Sequence, residues 1–261
     1  MINKLLAIFN SKRIDILLYL KRLLGIKCTT FYLKPHGSFK IRNIDKLGLA
    51  ILKGNFEIGI KSTLISNLKE GMTVLDIGAN IGYYTVLMAY YVGKAGRVIA
   101  FEPNPVIFSE LNDNVALNGF DNVQTLNIAL TDTTGHSKFF FPSEGQEAHG
   151  SLMKNRTFTE DSIENVNTDR LDEVLLRLNI NKVDLIKIDV EGAELLVIRG
   201  AKTLLCGESK PIILFECAEN QCASFGFRVF DVLREIAALG YVIEQVDYGN
   251  WVAIPKQEMT E

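Results

Sequence analysis

The chain has 261 residues, 48% of them hydrophobic, with 28 Lys and Arg against 31 Asp and Glu and a formal net charge of -3. This length holds one large α/β domain with an N-terminal extension, the acidic balance argues against nucleic acid as a partner, and no apolar run is long enough to span a membrane. Cys28, Cys206, Cys217 and Cys222 form no C-x-x-C pair and fit no zinc spacing, so they read as buried free thiols.

Residues 1–27 carry six basic residues against the single Asp15, beside an apolar stripe at helical spacing. The opening apolar run is too short for a signal peptide, which points to a cytoplasmic protein. A basic amphipathic helix here would either make peripheral contact with an anionic membrane or pack on the main domain or a second subunit. Packing is favoured, and the oligomeric state stays open.

Short strands are expected at Thr29–Leu33 and Ser38–Ile41, with a glycine-rich stretch at 48–59, as a small β-rich cap. Residues 1–55 thus form an extension and 56–261 the main domain. A helix at Ile60–Leu68 leads into strands at 72–77, 97–102, 123–129, 183–189 and 211–216. These alternate with helices at 81–92, 105–117, 169–178, 192–205 and 227–239. Such alternation implies a mostly parallel sheet with helices on both faces, a Rossmann-like α/β fold. Tyr241–Val246 and Trp251–Ile254 read as a C-terminal antiparallel hairpin. The polar stretch from Pro142 to about Asn167 reads as an irregular loop over the functional site.

The most informative residues are T-V-L-D-I-G-A-N-I-G-Y-Y-T at 73–85, followed one helix later by R-V-I-A-F-E-P-N-P at 97–105. A strand ending at Asp76 runs into a turn containing Gly78, Asn80 and Gly82, where a ligand can approach the backbone closely. Glu102 falls at the carboxyl end of the next strand, followed by Asn104. Ligands bind there in open α/β sheets, and a carboxylate can accept from both hydroxyls of a ribose. The dinucleotide fingerprint is G-x-G-x-x-G, whereas this chain has D-x-G-x-N-x-G. A carboxylate before the turn repels a pyrophosphate but tolerates a cation. S-adenosyl-L-methionine carries a sulfonium and an ammonium and no phosphate, so it is favoured over NAD.

Further blocks extend the pattern: N-V-A-L-N-G at 114–119, N-I-A-L-T-D at 127–132, I-K-I-D-V-E-G-A-E at 186–194 and I-L-F-E at 213–216. With the first two blocks, these residues resemble the FkbM family of S-adenosylmethionine-dependent methyltransferases from about Phe56 to the last strand. The resemblance implies a class I methyltransferase fold and methyl transfer to a hydroxyl of a sugar, glycan or secondary-metabolite acceptor. Two stretches depart from the family pattern. Arg170 takes a Thr position before Leu171-Asp172, and His149-Gly150-Ser151-Leu152 keeps only one Ser of a pair. Both bear on substrate identity rather than reaction class.

Asp189 and Glu216 end neighbouring strands. Either carboxylate can take the proton of an attacking hydroxyl, with the loop residue His149 as a third candidate base. Asp189, Glu191 and Glu216 are also oxygen ligands of the kind Mg²⁺ takes, a rival metal-dependent reading, although no metal is expected. Glu191 and Glu194 read as caps of the following helix. Asn114 and Asn118 read as shaping a helix end and turn. Strand register leaves the direction of Lys187 open, and Glu57 either faces substrate or braces the cap. A catalytically inactive nucleotide-binding module is the alternative from another class.

Overall fold

A computed structural model gives the fold of residues 29–33, 37–41, 51, 56–141, 152 and 162–256. The expectations for residues 1–27, for 42–50, and for Cys28, His149 and Ser151 lie outside these described residues. The strands are β1 (Thr29–Leu33), β2 (Gly37–Ile41), β3 (Thr73–Ile77), β4 (Arg97–Phe101), β5 (Val123–Leu126), β6 (Ala129–Leu130), β7 (Gly135–Phe141), β8 (Ser162–Asp169), β9 (Leu185–Ile188), β10 (Ile212–Glu216), β11 (Tyr241–Asp247) and β12 (Asn250–Pro255). The helices are α1 (Ile58–Asn67), α2 (Tyr83–Val92), α3 (Pro105–Asn118), α4 (Leu171–Arg177), α5 (Glu194–Gly200), α6 (Lys202–Cys206), α7 (Glu219–Ser224) and α8 (Val229–Ala238).

The main sheet has the order β11-β12-β10-β9-β3-β4-β5. β5, β4, β3, β9 and β10 run parallel, and β12 pairs antiparallel with β10 and β11. Strand order reverses between β3 and β9. The crevice outside the carboxyl ends at such a point is where this architecture binds ligands.

Two-residue periodicity sorts the core into two layers. Leu75, Ile77, Ile99, Phe101, Ile186, Ile188, Ile213 and Phe215 pack on one face with residues of α4, α5, α6 and α8. Val74, Val98, Leu185 and Leu214 point to the other face, against α1 and α2. α2 is buried nearly all round, so it carries no polar stripe. The same alternation puts Asp76 and Lys187, which are paired in register, on the α2 face.

Several expectations need correction. Ser162–Asp169 is a strand, not loop: β8 pairs antiparallel with β7 and parallel with β6 in a separate three-stranded sheet. The expected strand 123–129 splits into β5 and β6. Between them Asn127 turns aside, and its Nδ2 donates to the carbonyls of Glu102 and Pro103 at 2.8 and 2.9 Å. The expected helix 192–205 breaks at Ala201 because Asp172 caps a new helix there, accepting from the N–H groups of Thr203 and Leu204 at 2.8 and 3.0 Å. α7 was not foreseen. Cys217 and Cys222 are buried as expected, but Cys206 is exposed. No helix among the described residues is long and apolar enough to cross a membrane.

Candidate active site

The turn after β3 is fixed by its backbone. Gly78 and Ala79 both donate to the Phe101 carbonyl, at 3.0 and 2.9 Å, which ties the turn to the end of β4. Gly78 has φ 79, and a Cβ there would collide with the Asp189 carbonyl oxygen, so only glycine fits between β3 and β9. Asn80 is also left-handed, at φ 51. The fully buried Asn114 donates from Nδ2 to the Ile81 carbonyl at 2.8 Å. Asn114 therefore braces this turn rather than the end of its own helix.

Glu102 stands at the end of β4 with both carboxylate oxygens engaged. Oε2 accepts from the Asn80 N–H at 2.9 Å and Oε1 from the Asn104 N–H at 2.8 Å. Burial pushes its pKa up to about 7, against the two backbone donors that lower it. Each oxygen keeps a second lone pair for a diol. Asn104 caps α3, accepting from the N–H groups of Val106 and Ile107 at 2.9 and 3.2 Å, with Pro105 at the first helical position.

A second group of charges gathers where β3, β9 and β10 end. Lys187 is 5% exposed. Its Nζ donates to Asp189 Oδ2 at 2.9 Å and lies 4.7 Å from the centre of the Tyr84 ring. Burial would lower its pKa, but Asp189, Asp76 and Glu57 outweigh that and raise it. Tyr84 donates its hydroxyl to Glu57 Oε2 at 2.6 Å. Glu57, Asp189 and Glu216 each bring one carboxylate oxygen to within 4.8 Å of the others. Glu216 has a pKa pushed up to about 9 by burial, then by the charges of Asp189 and Glu191. Gln221, from α7, donates to Glu191 Oε2 at 2.7 Å and to Glu216 Oε1 at 3.3 Å.

One cavity of about 270 Å³ joins the two groups. Gly78, Asn80, Glu102, Asn104, Asp189 and Glu216 all line it. Leu152 and Phe139 wall it from the side of the second sheet. Asp76 does not line it. Asp76 is fully buried beneath the turn, accepts from the Thr85 hydroxyl at 2.6 Å, and has its pKa raised by burial. Gly82 is likewise off the wall, with φ 87 where α2 begins. Glu194 stands in the first turn of its helix, and its Oε1 accepts from the N–H groups of Gly192 and Val190 at 3.1 and 3.3 Å, which braces the turn leading into that helix. Glu191 is left-handed, at φ 54, and lines the cavity.

The sequence reading missed Tyr84 and Gln221. It left Lys187 open because β9 is apolar on both faces and carries no alternation to place it. The cavity fits S-adenosylmethionine. Glu102 offers a diol acceptor, Pro103, Ile107, Ile128 and Leu130 offer an apolar wall for a purine, and the far end is rich in carboxylates that suit a cation.

A family model described as Methyltransferase FkbM domain matches residues 76–243. The chain is 29% identical over 163 residues to Methyltransferase sdnD of Sordaria araneosa, covering 52% of this chain and 62% of that protein. It is 30% identical over 168 residues to Hexuronic acid methyltransferase AglP of Haloferax volcanii, covering 64% of this chain and 65% of that one. It is 28% identical over 169 residues to 2-O-methyltransferase NoeI of Sinorhizobium fredii, covering 59% and 68%. Among solved structures it is similar to precorrin-6y C5,15-methyltransferase of Geobacter metallireducens, at 12% identity and a TM-score of 0.48, over 87% of this chain and 94% of that one.

Proposed function

The chain belongs to the FkbM methyltransferase family, whose cofactor is S-adenosylmethionine, and we propose that it methylates a hydroxyl oxygen of a sugar, glycan or secondary-metabolite acceptor. The observation that carries this reading is one cavity with Glu102 at one end and Asp189 and Glu216 at the other. The relatives named for 2-O-methyl transfer and for a hexuronic acid support the oxygen and the sugar.

When bound, the cofactor supplies an electrophilic methyl carbon on a sulfonium. The chain's own residues supply position and proton management. Glu102 would hold the ribose of the adenosine portion, and the turn at Gly78–Ile81 would flank the methionine portion. Burial and the charges of Asp189 and Glu191 favour the protonated form of Glu216 over that of a free carboxylate. That leaves Asp189 as the proton acceptor for the hydroxyl, oriented by the Lys187 ammonium.

The test is incubation with S-adenosylmethionine and a panel of neutral glycosides, followed by mass spectrometry. A mass gain of one methylene on a glycoside that survives alkali supports an ether. Methylation confined to carboxylates or amines contradicts hydroxyl transfer.

The convergence of Glu57, Asp189 and Glu216 oxygens gives a metal-dependent variant one specific footing. The Lys187 ammonium already neutralises part of this carboxylate cluster through Asp189 Oδ2. Turnover is therefore expected to survive excess EDTA, and its loss with recovery on adding Mg²⁺ would favour the metal.

A further inference from the structure

Glu57 lies outside residues 76–243, the segment the family model matches, yet its side chain lines the same cavity as Glu102. It stands at the start of α1 with φ 41 and ψ 57. A residue with a Cβ is strained in this left-handed region, where glycine would sit freely. Strain of this kind persists where the surroundings over-determine it, and it collects at functional sites. Among the described residues, the Tyr84 hydroxyl is the only hydrogen-bond donor to its carboxylate, and it takes Oε2.

The inference rests on the cofactor reading, which fixes one end of the ligand. With the ribose at Glu102, the methionine portion runs along Gly78–Ile81 toward the carboxyl ends of β3 and β9. That portion carries an ammonium, which has three donors and a positive charge. Around it stand Glu57, Asp189, Glu191 and Glu216, and among the lining residues described here Lys187 is the only cation. Lys187 is engaged by Asp189 and the Tyr84 ring. The carboxylates therefore outnumber the ammonium they share.

We propose that Glu57, held by Tyr84, seats the α-ammonium of the cofactor's methionine portion, so that the segment before the matched domain completes the cofactor site. Burial raises the Glu57 pKa, against the Lys187 ammonium and the Tyr84 hydrogen bond that lower it.

Titration calorimetry on the full chain tests this with three probes. S-adenosylmethionine has both cations, S-adenosylhomocysteine keeps only the ammonium, and 5′-methylthioadenosine lacks the amino-acid portion. Glu57→Gly is the main variant, because glycine adopts the observed backbone without strain and the fold is kept. Its melting temperature is expected to stay within a few degrees of the wild type, the relieved backbone strain offsetting the lost Tyr84 hydrogen bond. Its affinity for S-adenosylmethionine and S-adenosylhomocysteine is expected to fall at least about tenfold, the loss typical of a charge-assisted hydrogen bond. Affinity for 5′-methylthioadenosine is expected to stay unchanged. Glu57→Gln, which still accepts from Tyr84, is expected to show the same pattern. The proposal is overturned if all three affinities stay at wild-type values, if all three fall together, or if only S-adenosylmethionine is affected. A wild-type chain that binds none of the probes overturns the cofactor reading itself, and the proposal with it.

Discussion

At one end of the cavity, Glu102 meets two backbone N–H groups, from Asn80 and Asn104. At the other, Glu57, Asp189 and Glu216 crowd around one buried ammonium. The first end is made by β3, its turn and β4, all within about thirty residues of chain. The second draws on α1, α2, β9, β10 and α7. A carboxylate held by main-chain donors depends on backbone geometry and tolerates changes in neighbouring side chains. A carboxylate held among other side chains changes its protonation whenever one of them changes. The Glu102 end is thus a fixed socket, and the Lys187 end is a coupled set of charges.

The sharpest way to break this contrast is at Asp189. On the proposed chemistry, Asp189→Asn lowers kcat by about 10²–10⁴-fold and leaves S-adenosylmethionine affinity nearly unchanged in calorimetry. A mutant that turns over at the wild-type rate moves the base elsewhere, with Glu216 and His149 next.

At the socket, Glu102→Ala removes an acceptor for the ribose diol. Loss of a charge-assisted bond costs roughly 1.5–3 kcal/mol, so binding weakens by at least about tenfold. The loss should be equal for S-adenosylmethionine and 5′-methylthioadenosine, which share the ribose. Unequal losses would mean that Glu102 does not act on the ribose.

Smaller effects follow from pH. With its pKa near 7, Glu102 loses a diol acceptor as it protonates, so cofactor affinity should fall severalfold as pH drops from 8 to 6. The stability of the ligand-free chain should run the other way. Glu102, Glu194 and Glu216 have pKa values raised to about 7, 7 and 9 from an ordinary 4.5, so the folded chain binds more protons than the unfolded one in that window. Stability is fully present below the ordinary value and is lost as pH rises through the raised values. Differential scanning calorimetry should show a melting temperature that falls by several degrees between pH 5 and 9. A flat profile would mean that these carboxyls are ionised in the fold.

The same contrast explains what could be read from the sequence. The socket was legible because its residues are contiguous: Asp76, Gly78 and Glu102 follow buried strands whose apolar runs announce them. Even so, Asp76 lies under the cavity rather than on its wall, because strand alternation turns it toward Thr85 and α2. The coupled end was legible only in part. Asp189 and Glu216 stand at strand ends, whereas Tyr84 sits within a helix buried nearly all round, where it reads as core. Gln221 comes from a six-residue helix with little periodicity to find it by. Residues 162–167 read as loop because S-I-E-N-V-N is polar. They become strand by pairing with the aromatic end of β7, a tertiary contact that outweighs composition.

The central claim is that the crevice between β3, β4 and β9 is an S-adenosylmethionine site. Calorimetric titration of the full chain with S-adenosylmethionine, beside an identical titration with NADH, tests it most directly. The account predicts saturable binding of S-adenosylmethionine and none of NADH. Saturable binding of NADH with no heat from S-adenosylmethionine would contradict it.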